Sequence, residues 1–563
     1  MKRHLRPLGA LLLCGAVTAL AACSSSTSST GSSPGSSAGS STGSSAGSSS
    51  SAQAGGTITI AAGTAPLSAD QGLDFTTQGT ELYSVVNTPL LTFQRGVEGV
   101  GGAKIIPGLA QSLPTISNGG KTYTFMLRPG LKYSNGQAIK ASDVTYAIER
   151  DIKIPWQAAS FVSAYIAGAD AYAKGKAKTI SGITTDDATG KITVNLVSAF
   201  GPIEDIFALA GTAPVPQSTP MKNLANTGTI GDGPYMWGPI TPTQTYTLVK
   251  NPNFDVPGLP KGHADKIVFQ VNTNVTADAE SVLNNQADLF DPGDTIPASL
   301  LQQVQTQAKD RYKPVPTNSS YYWFMAVDQK PFNNIYARQA VQAAMDDRAL
   351  SRLDSGFLAP DCHLIPPGIT GHSPTTQCPF HDPNGAPNMT VAKQLMQKSG
   401  MIGQPVTVYG EERSPRRQWL DYITGVLNSL GFKATEKVVN SSVYFTTIGA
   451  PTLHPQFGFG DWVQDFPEPW DFMQLFAGNA GSSLNYGYVN DSHYNTTLNT
   501  LFQQPSAGQQ AQWQALDNYA IGQAFYAVYG HEQFPKFYSD RLNFNTGVMS
   551  VEYQTDMTSL ELK

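Results

Sequence analysis

Residues 24–51 consist only of Ser, Thr, Gly, Ala and Pro. A run of this composition has no large apolar side chains to bury, so it behaves as a flexible coil. Its 28 residues have a mean end-to-end reach of roughly 30 Å. We therefore expect the folded body to be formed by the residues that follow this run. The run itself is predicted to be a flexible tether.

The residues before this run have the pattern of an export signal. Three basic residues precede an apolar run over residues 8–20, which is too short to span a bilayer. The run ends in Leu-Ala-Ala-Cys23, which resembles the bacterial lipobox, where the cysteine after two small residues is acylated. We predict a signal peptide over residues 1–22, lipidation at Cys23 and a linker over residues 23–54, so that lipid alone attaches the protein to the membrane. A plain secretory signal with an incidental cysteine is the alternative.

The remaining chain, about 510 residues long, can bury more than one hydrophobic core. The full chain has a formal net charge of −6, and the body contains no run of basic residues. Nucleic acid and anionic lipid headgroups are therefore poor partner candidates.

Two cysteines remain in the body after the signal and the lipobox are set aside. Cys362 and Cys378 lie in a Pro-rich loop, and an even pair in an oxidising compartment predicts a disulfide. A metal site that recruits His363, His372 and His381 is the alternative, but the loop lacks the paired ligand spacing of zinc sites. We predict no metal and no other cofactor.

Strand-like and helix-like patterns alternate irregularly along the body. The apolar side chains of residues 122–127 fall on one face of a half-buried strand, and a helix is predicted over residues 142–152. Residues 339–353 and 415–430 read as amphipathic helices. These patterns favour an α/β fold with mixed sheets.

Motifs of common enzyme classes are missing from the body sequence. It contains no GxSxG, HExxH, GxxxxGK[ST] or strand-linked GxGxxG. The sequence therefore favours a protein that is not an enzyme.

One segment closely resembles the signature of the family 5 extracellular solute-binding proteins, the receptor subunits of ATP-binding-cassette importers. It spans residues 105–150. The matching residues are Pro107, Leu109, Ala110, Lys121, Tyr123, Phe125, Leu127, Arg128, Gly136, Ala141, Asp143 and Val144. Further similarity follows in order at residues 231–235, 248–254, 331–350 and 461–472, and it covers nearly all of residues 55–563.

The later motifs depart from the family pattern at three positions. Asp232 stands where the family has Thr, Phe254 replaces a Tyr, and Glu468 replaces a common Asp.

The resemblance implies a two-lobed periplasmic-binding-protein-like clamp with mixed sheets and an additional subdomain inserted in lobe one. We expect the chain to cross between the lobes near residues 317–324 and 531–537, with hinge closure around the ligand. The expected boundaries are residues 55–97, 212–317 and 534–563 for lobe one, 98–211 for the inserted subdomain and 318–533 for lobe two.

The resemblance also implies a function. We expect a monomeric substrate-binding subunit on the outer face of the cytoplasmic membrane, which captures di- or oligopeptides and delivers them to permease and ATPase subunits. A receptor of the same fold for a nickel chelate, sugar or opine, or a surface sensor uncoupled from import, is the alternative. A secreted hydrolase has the least support.

A peptide that is buried whole needs an acidic partner for its ammonium and a cationic partner for its carboxylate. In peptide-binding relatives the aspartate of a Trp-x-x-Asp loop holds the amino group, and the matching residue is Asp465. Asp465 as the cap of a local turn is the alternative. Trp462 either stacks on the ligand or fills a core. Arg413 is the candidate for the carboxylate, and Arg416 or Arg417 could replace it.

Overall fold

The computed structural model describes residues 55–291, 293, 295–450, 452–478, 484–550 and 554–563. The predicted signal peptide, the lipidation site at Cys23 and the linker lie outside these residues.

Twenty strands and fifteen α-helices are defined within the described residues. The strands are β1 (Thr57–Ala62), β2 (Leu91–Phe93), β3 (Ile105–Pro107), β4 (Thr115–Ser117), β5 (Thr122–Met126), β6 (Ile183–Asp186), β7 (Lys191–Asn195), β8 (Tyr235–Thr241), β9 (Thr245–Lys250), β10 (Lys266–Val271), β11 (Leu289–Phe290), β12 (Tyr312–Pro316), β13 (Ser319–Met325), β14 (Leu358–Ala359), β15 (Pro405–Glu411), β16 (Lys433–Val439), β17 (Phe457–Val463), β18 (Tyr526–Phe537), β19 (Val548–Ser550) and β20 (Gln554–Asp556). The helices are α1 (Thr77–Val86), α2 (Ala141–Lys153), α3 (Ala159–Ser163), α4 (Ala169–Ala173), α5 (Ile203–Ile206), α6 (Val275–Leu283), α7 (Ala298–Gln307), α8 (Ile335–Ala343), α9 (Asp347–Leu353), α10 (Met389–Ser399), α11 (Arg416–Ser429), α12 (Tyr444–Ile448), α13 (Pro469–Met473), α14 (Ser492–Leu501) and α15 (Gln510–Gly522).

Three larger sheets organise the described part of the chain. A five-stranded sheet has the order β11-β1-β10-β9-β8 and mixes parallel with antiparallel pairs. A four-stranded antiparallel sheet has the order β4-β5-β7-β6. A seven-stranded mixed sheet has the order β12-β18-β13-β17-β15-β16, with β14 paired to β18. The expectation of an α/β fold with mixed sheets is confirmed.

The signature segment supplies two strands of the four-stranded sheet, β4 and β5, and helix α2, which packs against this sheet. In β5, Tyr123 and Phe125 are buried while Met126 is exposed, which is the alternation of a half-buried strand. Helix α2 places Val144 and Ile148 in the same core. The carboxylate of Asp143 accepts from the backbone N–H of Lys140, so this acidic residue fixes the start of the helix.

A buried ion pair joins α2 to the segment that precedes α1. Arg150 donates through Nη1 to Oδ1 of Asp70 at 2.9 Å and through Nη2 to Oδ2, and both side chains are fully buried. The Arg150 guanidinium also donates to the carbonyl oxygens of Pro220 and Lys222. The pair therefore ties helix α2 to residues on both sides of it in sequence.

The element at residues 231–235 packs against the carboxyl end of α1. A Cβ atom at Gly233 would lie 2.3 Å from the carbonyl oxygen of Val85, so only glycine fits there. The carboxylate of Asp232 accepts from the backbone N–H of Thr88 at 2.6 Å. Burial raises the pKa of Asp232 to about 8. The Asp at this position is thus part of the local packing.

Residues 339–353 do not form one continuous helix, so that prediction is wrong. Helix α8 ends at Ala343 and α9 begins at Asp347. Between them, the side chain of Asp346 accepts from the backbone N–H of Ala349 at 3.1 Å and caps α9. The predicted helices over residues 142–152 and 415–430 correspond to α2 and α11.

The two predicted lobe crossings run side by side in the seven-stranded sheet. Strand β18 pairs antiparallel with both β12 and β13. Between these strands, the hydroxyl of Thr317 donates to the carbonyl oxygen of Glu532 at 3.0 Å, and the backbone N–H of Glu532 donates to the hydroxyl of Ser319 at 2.9 Å. The crossings therefore form one hydrogen-bonded unit.

Candidate functional site

A cavity opens beside this unit of crossing strands. Its empty volume, including the part that is open to solvent, is about 1010 Å³. The lining comes from α1 and the residues that flank it, β2 and Arg95, residues 208–210, the crossing at Thr317 and Asn318, the end of β17 with the loop after it, and single residues of β18 and β20. The cavity therefore lies between the part of the chain expected as lobe one and the part expected as lobe two.

Asp465 lines this cavity from the loop that follows β17. Burial raises the pKa of its carboxyl to about 7, because the charged form has lost much of its hydration. A cation placed beside Asp465 would therefore be attracted strongly and would restore the ionised form.

The loop that carries Asp465 is fixed by a second, fully buried carboxylate. Oδ2 of Asp471 accepts from the backbone N–H of Asp465 at 2.8 Å and from the indole N–H of Trp462 at 3.0 Å. Burial, and next the nearby charge of Asp465, raise the pKa of Asp471. Asp471 thus positions the loop without lining the cavity.

The same loop is attached to the first crossing. The side-chain amide of Asn318 donates to the amide oxygen of Gln464 at 2.7 Å, and the backbone N–H of Gln464 donates to the carbonyl oxygen of Asn318 at 2.9 Å. Two hydrogen bonds therefore hold the residue next to Asp465 against the first predicted crossing.

Two further charged side chains line the cavity from the other side. Glu81 projects from α1, and Arg95 follows β2. Nη1 of Arg95 lies 3.1 Å from Oδ1 of Asp556, so this carboxylate offsets its charge. Among the described residues that line the cavity, the charge balance is thus acidic.

The other two predicted site residues lie outside the cavity lining. Trp462 is partly buried, packs against the core of the seven-stranded sheet and donates to Asp471. Arg413 is more than half exposed, and its Nε donates to Glu411 at 3.0 Å. The structure brings Trp462 and Asp465 together through Asp471 and leaves Arg413 apart from them. Their roles toward a ligand stay predictions.

Arg416 and Arg417, the alternatives to Arg413, also have acidic partners. Arg416 is bonded to Glu411 and Asp461, and its guanidinium lies 4.5 Å from the ring centre of Phe459. Arg417 lies 2.7 Å from Glu436. Neither residue lines the cavity described above.

The structure joins Cys362 and Cys378 by a disulfide, with 5.9 Å between their Cα atoms. The three histidines weighed for a metal site at this loop do not share one cluster. His381 instead lies 2.8 Å from Asp347.

Sequence reasoning did not select Glu81, Arg95 or Asp556. No motif links these residues, so only the fold places Glu81 and Arg95 at one cavity and Asp556 beside Arg95. The resemblance directed attention to the Trp-x-x-Asp loop but not to its facing surface. No helix among the described residues is both long and apolar enough to cross a membrane.

The described fold is that of a two-lobed extracytoplasmic binding protein. The chain belongs to the bacterial extracellular solute-binding proteins, family 5, whose model matches residues 104–483.

Curated relatives cover most of the chain at low identity. The dipeptide-binding protein DppE of Bacillus subtilis is 24% identical over 69% of this chain and 71% of its own length. The oligopeptide-binding protein OppA of the same organism is 23% identical over 68% of this chain and 71% of its own length.

Solved structures show the same fold. A clavulanic acid biosynthesis oligopeptide binding protein has a TM-score of 0.79 at 19% identity, covering 91% of this chain and 96% of its own. The unliganded open form of the murein tripeptide binding protein MppA has a TM-score of 0.73 at 20% identity, covering 91% and 99%. Haemophilus influenzae OppA in complex with the peptide RPPGFSPFR has a TM-score of 0.67 at 15% identity, covering 91% and 100%.

Proposed function

We propose that this chain is the monomeric receptor subunit of an ATP-binding-cassette importer, which captures peptides between its lobes and delivers them unaltered to the permease and ATPase subunits. Support comes from family membership, from relatives named for dipeptide and oligopeptide binding, and from the acidic cavity. Lobe one would comprise residues 55–97, 212–317 and 534–563, with residues 98–211 inserted in it, and lobe two residues 318–533.

The observation that carries the peptide assignment is the partly buried carboxyl of Asp465 at the cavity wall, whose pKa burial raises to about 7. A carboxylate that loses its remaining hydration when a ligand covers it needs a cation in contact. The α-ammonium of a peptide supplies that cation, and backbone N–H and C=O groups would bond to the polar side chains nearby. A neutral sugar would leave the charge of Asp465 without a partner.

Isothermal titration with paired peptides tests this proposal. Peptides with free amino termini should bind, and the same peptides with acetylated amino termini should bind at least tenfold more weakly, because acetylation removes the charge that Asp465 pairs with. Binding to a sugar or nickel-chelate panel, with no response to any peptide, would contradict the peptide assignment.

The proposal of a receptor rather than a hydrolase is tested on the same samples. Mass spectrometry after prolonged incubation should return every bound peptide intact. Turnover of any peptide at a rate proportional to protein concentration would favour the hydrolase.

We further propose that acylation of Cys23 anchors the receptor to the outer face of the cytoplasmic membrane. Two acyl signals hold a protein far more stably than one, and the linker would let the body move above the surface. Cys23→Ala should release the protein from the membrane fraction and abolish incorporation of labelled fatty acid. Cys14→Ala is the matched control and should leave both unchanged.

A further inference from the structure

Three side chains that the peptide site does not use converge beside the crossing strands. Oδ2 of Asp361 lies 3.5 Å from Nε2 of His531 and 3.8 Å from Nε2 of His372. One ligand atom from each of these three residues lies within 4.8 Å of the others. The three residues come from the disulfide loop and from β18, which are far apart in sequence.

Both histidine rings are oriented by backbone carbonyl groups. Nδ1 of His372 lies 2.8 Å from the carbonyl oxygen of Ile365, and Nδ1 of His531 lies 2.6 Å from that of Ser319. Because a carbonyl oxygen only accepts, each ring must carry a proton on Nδ1. In the neutral ring, Nε2 then presents a lone pair toward Asp361.

Nε2 of His531 has no hydrogen bond of acceptable geometry, although the residue is only 2% exposed. Its neighbour Asp361 is oriented in turn, because Nδ1 of His363 lies 2.9 Å and the backbone N–H of His363 3.0 Å from Oδ1. These contacts leave Oδ2 directed at the other two histidines. Metal-binding histidines characteristically have this arrangement, in which Nδ1–H is bonded to a carbonyl and Nε2 faces the metal.

We propose that Asp361, His372 and His531 form a binding site for a divalent metal ion of the Zn²⁺ type. Metal–ligand bonds of about 2.0–2.1 Å at tetrahedral angles place ligand atoms roughly 3.3–3.4 Å apart. The distances from Oδ2 of Asp361 to Nε2 of His531 and to Nε2 of His372 need to shorten by only a few tenths of an ångström to reach that value. Two imidazole nitrogens and one carboxylate oxygen suit Zn²⁺ or Ni²⁺ rather than Ca²⁺ or Mg²⁺. His372 is partly exposed, which gives the ion an entry path and gives a water molecule access to the fourth position.

The disulfide is part of this site's construction. Asp361 directly precedes Cys362, and His372 lies inside the loop that Cys362 and Cys378 close. Because both sulfur atoms are used in the bridge, thiolate ligation is not available. Metal binding would connect this loop to His531 on β18, next to the segment that bonds to Thr317.

Titration of Zn²⁺ into chelator-treated mature protein tests the site. Calorimetry should show one Zn²⁺ per chain, and neither Ca²⁺ nor Mg²⁺ should give saturable binding. His372→Ala should weaken the affinity at least tenfold, since loss of one of three protein ligands exceeds the 10–100-fold effect of an outer partner. A Zn²⁺ concentration a hundredfold above the wild-type Kd should raise the Tm of the wild type more than that of the variant.

His454→Ala is the matched control, because His454 is a half-exposed histidine 3.0 Å from Asp328 and belongs to neither cluster of possible metal ligands found among the described residues. Its Zn²⁺ affinity should equal that of the wild type. X-ray absorption at the zinc edge should show two imidazoles and oxygen in the wild type. No stoichiometric binding, equal affinity of His372→Ala and wild type, or sulfur ligands in the spectrum would each overturn the proposal.

Discussion

Asp465 places a carboxyl group where burial makes its charged form unfavourable. Its carboxyl lies in the cavity wall with a pKa raised to about 7 by burial, while its backbone N–H is held by Asp471. If Asp465 binds the ligand as proposed, this support preorganises it, so little ordering is needed when the ligand arrives. The resemblance led to Asp465, but its burial and its support by Asp471 follow from tertiary packing, which no local pattern encodes.

Asp465→Asn should weaken the binding of peptides with free amino termini by about 1–3 kcal/mol, because the amide cannot offset a buried ammonium. Calorimetry near pH 8 is the measurement. Asp310→Asn, at an exposed position, is the matched control and should bind as the wild type does. An Asp465→Asn variant with full affinity would assign this residue to the turn alone.

Arg413 shows where residue-level reasoning from the resemblance reached its limit. The residue is placed on the surface by an ion pair with Glu411, whereas Arg95, which follows a three-residue strand, lines the cavity. An isolated arginine in a short connection has no periodicity or spacing to mark it. Its importance depends on which distant segment folds against it.

At the scale of elements, the hydrophobic pattern predicted a strand or helix correctly where the capping residues indicated the same boundaries. The alternating β5 and the capped α2 were predictable from their own sequence. The predicted helix over residues 339–353 failed because its apolar period continues through Asp346, whereas the side chain of Asp346 caps a new helix. A capping residue inside an amphipathic pattern outweighs the pattern.

Helix α2 depends on its ion pair with the segment before α1. Arg150→Ala should lower the free energy of unfolding by about 3–5 kcal/mol, because it leaves the buried charge of Asp70 without its partner. Thermal unfolding by calorimetry measures the loss. Arg352→Ala, where the arginine side chain is 66% exposed, should change the Tm little. Comparable small losses in both variants would mean that the Asp70 carboxyl becomes neutral or hydrated at low cost.

The bridged loop makes a separate contribution. Joint replacement of Cys362 and Cys378 by alanine should cost about 3 kcal/mol, since the bridge restricts a loop of this length in the unfolded chain. Calorimetry with and without reductant is the measurement. Reductant should lower the Tm of the wild type and leave that of the double variant unchanged; equal sensitivity of the two would exclude the bridge as the cause.

At the scale of the whole molecule, several buried carboxyls have raised pKa values. Burial raises the pKa of Asp354, Asp465, Glu468 and Glu532 to about 7. An unfolded carboxyl titrates near pH 4, so between about pH 4 and pH 7 the folded state binds more protons than the unfolded state. The free energy of unfolding contributed by these groups therefore falls as the pH rises through this window.

The ligand-free protein should accordingly have a higher Tm near pH 5.5 than near pH 8. The raised pKa values of His363 and His381 act in the same direction. The lowered pKa of His372 opposes this trend below the ordinary histidine pKa of about 6.5, and the lowered pKa values of Glu98 and Glu411 change the free energy of unfolding only at more acidic pH. Calorimetry across this range measures the slope, and Asp465→Asn should flatten it. A Tm that rises steadily to pH 8 would contradict this assignment of buried acids.

The paired crossings also restrict how the protein can change shape. Two strands that run in opposite directions, cross-linked by Thr317, Ser319 and Glu532, resist twisting and sliding far more than a single flexible connection would. The motion that these paired strands resist least is bending about one axis. If the proposed lobes close over a ligand, they should then move along a single arc, so that an open and a closed form present different surfaces to the proposed permease.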